Sequence, residues 1–163
     1  MKVAIVMGSK SDYPVVERAE KILSDFGVEF ESRIISAHRT PAVAELFATS
    51  AVENGIEVLI AAAGKAAHLA GVMAAFTPIP VIGIPIKSST LDGLDSLLSI
   101  VQMPKGIPVA TVAIDGAENA ALLAIQILSL KYPELQTKMI QYKEKMEQEI
   151  IAIDHEFQKE KKR

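Results

Sequence analysis

Ser36-Ala37-His38-Arg39-Thr40-Pro41 sets an imidazole beside a guanidinium, between an apolar run ending at Ile34-Ile35 and a segment with helical spacing. Histidine titrates near neutrality and can both give and take a proton. Arginine carries a fixed charge on a fork of donors that suits phosphate. The pair offers a proton shuttle beside an anion clamp, although a capped helix start with two surface side chains accounts for the same six residues. Two further stretches bear on the choice. Gly8-Ser9-Lys10-Ser11-Asp12 combines a glycine open to close approach, two hydroxyls and a helix start, which suits phosphate. Its spacing is neither that of a Walker motif nor GxGxxG. Asp12 is either an N-cap or an acceptor for the vicinal hydroxyls of a ribose. Gly64-Lys65-Ala66-Ala67-His68-Leu69-Ala70-Gly71 is a second small-residue helix start. It places His68 in the first turn and leaves Lys65 as a solvated cation or a second anion contact. Leu97-Leu98-Ser99-Ile100-Val101-Gln102-Met103-Pro104 reads as a buried helix with a terminating proline. Gln102 and Met103 are its two residues that could line a pocket for a flat heterocycle.

These residues need a frame that brings them together. Val3, Ala4, Ile5 and Val6 in unbroken succession predict a short buried strand over 2–7. Ser11 or Asp12 is the expected N-cap of the next helix, with Pro14 in its first turn. Val15, Val16, Ala19, Ile22, Leu23 and Phe26 give that helix its apolar face, and Gly27 ends it. The alternation continues with strands over 28–35, 57–63, 79–84 and 109–114, the fourth bracketed by Pro78 and Pro85. Helices are expected over 41–54, from the 64–71 loop to about 76, and over 116–130, with an apolar segment over 94–101. Strands alternating with helices predict a parallel sheet covered on both faces, with right-handed crossovers. The expected class is therefore α/β: a three-layer α/β/α, flavodoxin-like domain with strand order 2-1-3-4-5. In that order the turns after strands 1, 2 and 3 converge at the switch point between strands 1 and 3. Those are the turns that carry the polar and glycine chemistry, which favours a ligand site over surface decoration.

The last segment differs. Pro133 opens a polar helix in which Leu135, Met139, Tyr142, Met146, Ile150, Ile153 and Phe157 recur at heptad-like spacing. A single domain over 1–163 is expected, with an α/β core over 1–132 and a C-terminal helix over 133–163 that packs on another subunit. Packing across its own domain is the alternative. Residues 159–163 read as a frayed tail.

Composition narrows the class. A chain of 163 residues suits one domain with a sizeable core. A net charge of −3 provides no general field for nucleic acid. Cysteine is absent, which removes disulfides, thiolate catalysis and Cys-type zinc sites. His38, His68 and His155 form no HExxH-like pair, so no metal site is expected. Met1-Lys2-Val3 runs straight into a strand, so no signal peptide is expected. No apolar run approaches the roughly 20 residues of a membrane helix. A cytoplasmic enzyme or binding protein is expected, with neither nucleic acid nor membrane as partner.

Four stretches together resemble a known family. Met7-Gly8-Ser9-Lys10-Ser11-Asp12, Ser36 to Pro41, Ala63-Gly64-Lys65-Ala66-Ala67-His68-Leu69, and Asp95-Ser96 followed by Leu97 to Pro104 match it in order and spacing. The family is N5-carboxyaminoimidazole ribonucleotide mutase, the bacterial-type enzyme of de novo purine synthesis, and the similarity runs from Val3 to about Leu130. It implies an octamer of single-domain subunits that moves a carboxylate from the exocyclic nitrogen to ring carbon C4 without ATP, metal or organic cofactor. It also implies His38 as the general acid/base. Ser9, Asp12 and Arg39 would bind the ribonucleotide, Asp12 at the ribose and Arg39 with Ser36 at the phosphate. Gly8, Ser11, Ala37, Gly64, Lys65, Ala66, His68 and Leu69 would complete the pocket. Lys65 stands where many of the family have Gly, Ala70 where many have Pro, and Tyr13 where Trp is common. The first departure bears on the backbone shape of its loop and adds a charge.

Three rival readings follow from the same residues. A direct carboxylase of the same superfamily would use CO2 on the uncarboxylated ribonucleotide, and would differ in the Gly64 loop. A non-catalytic nucleotide- or flavin-binding module would purify with a ligand, yellow in the flavin case. A scaffold working through its C-terminal helix would lose its role on truncation after Leu130.

Overall fold

The computed structural model describes residues 1–161. Its elements are β1 (Lys2–Met7), α1 (Tyr13–Phe26), β2 (Glu29–Ile34), α2 (Pro41–Thr49), β3 (Val58–Gly64), α3 (Leu69–Phe76), β4 (Val81–Ile86), α4 (Leu94–Val101), β5 (Ala110–Thr111), α5 (Ala117–Ser129) and α6 (Pro133–Lys161). Every strand pair is parallel and the order is β2-β1-β3-β4-β5. This is the expected flavodoxin-like α/β/α topology.

The alternation of side chains along each strand divides the core. Val3, Ile5 and Met7 of β1, with Ile60 and Ile84, pack under α1, α5 and the first turns of α6. Ala4 and Val6, with Leu59 and Ala61, pack under α2, α3 and α4. The centre of β3 is buried on both faces, and its alanines at 61–63 let the covering helices approach closely. β2 is the half-exposed edge. Among the described residues no helix is long and apolar enough to cross a membrane.

Several boundaries differ from the sequence expectation, each for a local reason. The second helix stops at Thr49, short of residue 54. There the Thr49 and Ser50 hydroxyls bond back to the carbonyls of Glu45 and Leu46, and the chain goes into turns. The fourth strand is displaced by two residues and contains Pro85. The Pro85 carbonyl accepts the Asp115 N–H, so its nitrogen faces the side where β5 has already ended and the missing N–H removes no rung. The fifth strand is only two residues long, much shorter than 109–114. Asp12 stands at the N-cap of α1 but makes no capping bond from its side chain there. Ser9 instead caps a 3-10 turn over Lys10–Asp12 in a reciprocal capping box with Asp12. The tail is helical through Lys161, where fraying was expected, and residues 162–163 lie outside the described part.

Candidate active site

A cleft of about 600 Å³ lies at the carboxyl ends of the strands, and every residue singled out above as a site residue is in its wall. The first turn forms the floor. Gly8 donates its N–H to the Ala62 carbonyl. A Cβ placed on Gly8 would meet nothing closer than 3.9 Å, so packing does not demand glycine there and the missing side chain leaves the floor open. Asp12 is only 8% exposed. Its carboxylate accepts the Ser9 N–H at 3.2 Å and the Ser11 hydroxyl at 3.2 Å. Burial nevertheless outweighs these bonds and the nearby Arg39 charge, and holds its pKa above the ordinary 3.8.

The second turn is tied to the first. Arg39 donates from Nη2 to the Gly8 carbonyl at 2.8 Å and from Nε to Ser36 Oγ at 3.3 Å. Ser36 Oγ also accepts the Arg39 N–H, so the Ser36 proton is left to donate elsewhere. Ser9 Oγ accepts the Ser11 N–H at 3.3 Å and lies 2.9 Å from Ser11 Oγ. Two hydroxyls and a guanidinium on adjoining turns make a suitable cradle for an anion.

The third turn carries Lys65 in the left-handed region, at φ 56°. The chain accepts there a conformation that glycine adopts at lower cost. Two tight hydrogen bonds follow, Ala67 N–H to the Lys65 carbonyl and His68 N–H to the Ala66 carbonyl. They deliver His68 to the N-cap of α3, one residue before the helix and not within its first turn.

The strand order has a consequence that sequence spacing did not show. β2 and β3 flank β1, so their turns meet above the first. His38 Nε2 lies 2.9 Å from His68 Nδ1, with the rings edge-on at 88°. One ring donates and the other accepts, so the facing nitrogens hold one proton between them. The residues are separated by 30 positions, and no local pattern links them.

Sequence reasoning missed a fourth wall, formed by Ile86, Lys87 and Ser88 after β4. The bracketing Pro85 had suggested that the strand ended earlier. The motif from Asp95 to Pro104 does not enter this cleft; it fastens that turn. Ser96 Oγ, fully buried, lies 2.8 Å from the Ile86 carbonyl, and Asp95 accepts the Ser88 hydroxyl at 3.0 Å. Met103 packs on Gly71 so closely that a Cβ there would sit 3.0 Å from its methyl carbon. Gln102 and Met103 line a separate groove between α3 and α4, which shares His68 with the cleft.

The site thus joins a proton-exchanging imidazole pair to an anion cradle and a buried carboxylate acceptor. Comparison with known proteins identifies the family. Residues 2–149 match the family model described as AIR carboxylase. The chain is 65% identical over 145 residues to the N5-carboxyaminoimidazole ribonucleotide mutase of Pyrococcus abyssi, covering 89% of this chain and 83% of that one. It is 57% identical over 150 residues to the mutase of Thermotoga maritima, covering 92% and 88%. It is also 56% identical over 150 residues to the phosphoribosylaminoimidazole carboxylase of Saccharomyces cerevisiae, covering 92% of this chain and 26% of that longer one. The crystal structure of Treponema denticola PurE superposes with a TM-score of 0.85 at 33% identity, covering 95% of this chain and 97% of that one. This chain belongs to the AIR carboxylase family.

Proposed function

We propose that the protein is an N5-carboxyaminoimidazole ribonucleotide mutase, an isomerase of de novo purine synthesis that forms 4-carboxy-5-aminoimidazole ribonucleotide. The observation that carries the reading is the His38–His68 contact inside a cleft otherwise furnished for a phosphorylated ribose. Arg39, Ser36 and Ser9 take the phosphate, with Ser11 holding Ser9 and Asp12 in place. Asp12 accepts from the ribose hydroxyls. Ala37, Gly64, Ala66 and Leu69 enclose the ring, and Lys65 adds positive charge at the wall. These contacts hold the ring still while one bond is exchanged for another.

His38 delivers a proton to the carbamate nitrogen. The carbon–nitrogen bond then breaks, its electron pair stays on nitrogen, and the free amine and CO2 result. Ring carbon C4 attacks the CO2 while it is still in the cleft, and the C4 proton passes back to His38. Atoms balance without an oxidant, ATP, a metal or an organic cofactor. A single group gives a proton and then takes one, the task for which imidazole is suited near neutral pH. His68, on the Nε2 side of His38, offers that nitrogen a place to exchange its proton without water. Small, apolar walls limit the escape and hydration of CO2.

The same reading carries with it a cytoplasmic homo-oligomer, with eight subunits as the expected count. Ile150, Ile153 and Phe157 of α6 are exposed in the single chain, as is Met146. An apolar stripe of this length suits contact with other copies.

The direct carboxylase is the second reading, favoured by the carboxylase name of the yeast relative. The two separate in an assay without ATP. One tube holds the N-carboxylated ribonucleotide; another holds aminoimidazole ribonucleotide with physiological bicarbonate. Rapid C4-carboxylated product from the first alone is expected. Rapid product from the second would make the protein a direct carboxylase, and product from neither would leave a binding module.

A further inference from the structure

The turn after β4 forms one wall of the cleft through Ile86, Lys87 and Ser88, yet β4 has lost its neighbour there. The ladder to β5 ends at the Gly83–Thr111 pair, three residues before β4 does. Asp115 stands in for the missing strand. Its N–H donates to the Pro85 carbonyl at 2.8 Å. Its carboxylate accepts the Lys87 N–H at 2.8 Å. Its own carbonyl accepts from Arg18 Nη2 at 2.7 Å, which anchors the residue to α1. Asp115 reaches all three partners from φ 56°, in the left-handed region, which aspartate tolerates better than most residues. Gly93 at φ 95° also lies against Lys87, where a Cβ would sit 3.1 Å from the Lys87 Cα. The backbone of Lys87 is therefore positioned by residues that do not themselves line the cleft.

We propose that Asp115 is a positioning residue for ribonucleotide binding: by accepting the Lys87 N–H it sets the fourth turn as a wall of the cleft. The proposal rests on the mutase reading. It requires an acceptor at position 115 and does not require a charge. Asp115→Asn keeps a carbonyl oxygen and tolerates the left-handed conformation. Asp115→Gly keeps the backbone conformation without strain and removes the acceptor. Asp115→Ser, whose hydroxyl is too short to reach Lys87, is a second variant without the acceptor.

The test is steady-state kinetics of the full chain with N5-carboxyaminoimidazole ribonucleotide, alongside thermal unfolding. Asp115→Asn is expected to stay within about twofold of wild type in KM and kcat. Asp115→Gly and Asp115→Ser should raise KM about tenfold, the equivalent of one unmet N–H, with kcat within about twofold. Wild-type KM in both acceptor-free variants would overturn the proposal, as would a loss confined to kcat. An equal rise in KM for Asn and Gly would assign the effect to charge and overturn the acceptor role. Wild-type protein that does not turn the substrate over would overturn the mutase reading, and this proposal with it.

Discussion

Asp12 keeps a carboxyl group where burial disfavours its charged form. Its folded pKa lies above 3.8 because burial disfavours the carboxylate more than its hydrogen bonds favour it. The neutral form is therefore the one that folding prefers. The stability this group contributes is fully present below its unfolded pKa and is lost as pH rises through the folded value. In its proposed ribose role binding has the opposite sign, since a diol needs the carboxylate as acceptor. KM should start to rise on the acid side at a pH above the ordinary aspartate range, measured by initial rates across pH; a flat KM down to about pH 4 would contradict the assignment. Asp12→Asn should raise KM about tenfold at neutral pH without lowering Tm. His38 is a different case, because its proposed role is in the transition state. His38→Asn should cut kcat by about 10²–10⁴-fold while ribonucleotide affinity, read by calorimetry, changes little. At this scale the candidate residues were legible because the expected strand order brings the turns at 8–12, 36–41 and 64–71 to one switch point. The contact between His38 and His68 was not: the expected strand order brings their turns together, but which side chains meet depends on the loop conformations that carry them, Lys65 at φ 56° among them.

Elements hold these residues by close packing of small side chains. Gly83 lies on β4 beneath α4, and a Cβ there would collide with the Ile100 side chain and sit 3.1 Å from Val109. Because α4 also carries Asp95 and Ser96, which fasten the fourth turn, displacing it disturbs the cleft at a distance. Gly83→Ala should destabilise the fold by about 1–3 kcal/mol in denaturant unfolding, the usual effect of overpacking. An unchanged midpoint would mean that Ile100 is free to move aside. The order of strands and helices along the chain was legible from alternation, and the strand order from the flavodoxin-like class it suggested. Element ends were less so. Pro85 looked like a stop because a proline normally removes a rung, and here the rung had no partner to lose. Thr49 and Ser50 end α2 early by bonding their hydroxyls to its last carbonyls, a competition that an apolar periodicity does not register.

The whole molecule adds the question of α6. Its first turns belong to its own domain, with Leu135 fully buried and Met139 nearly so. Lys131 and Tyr132, just before it, close on Glu57 at 2.8 and 2.7 Å and tie the helix to the start of β3. Beyond these turns the apolar stripe faces solvent in the single chain, so packing on its own domain accounts for only the first part of the helix. Replacing Ile150 and Ile153 together by Glu should shift the molecular mass in light scattering from the assembly towards smaller species; an unchanged mass would remove α6 from the interface. Sequence spacing revealed the stripe but not its division, because the same heptad pattern serves a domain core and a subunit contact equally well.

The proposed reaction exchanges one bond for another within one cleft. The most direct measurement uses substrate carrying ¹³C in its N-carboxylate, turned over in excess unlabelled bicarbonate without ATP, with the C4 carboxylate of the product read by NMR. Retention of the label is the expected result, since CO2 released beside His38 is captured by C4 before it leaves. A product carboxylate diluted to the isotopic level of the medium would contradict it, and would mean that the protein draws free CO2 and works as a carboxylase.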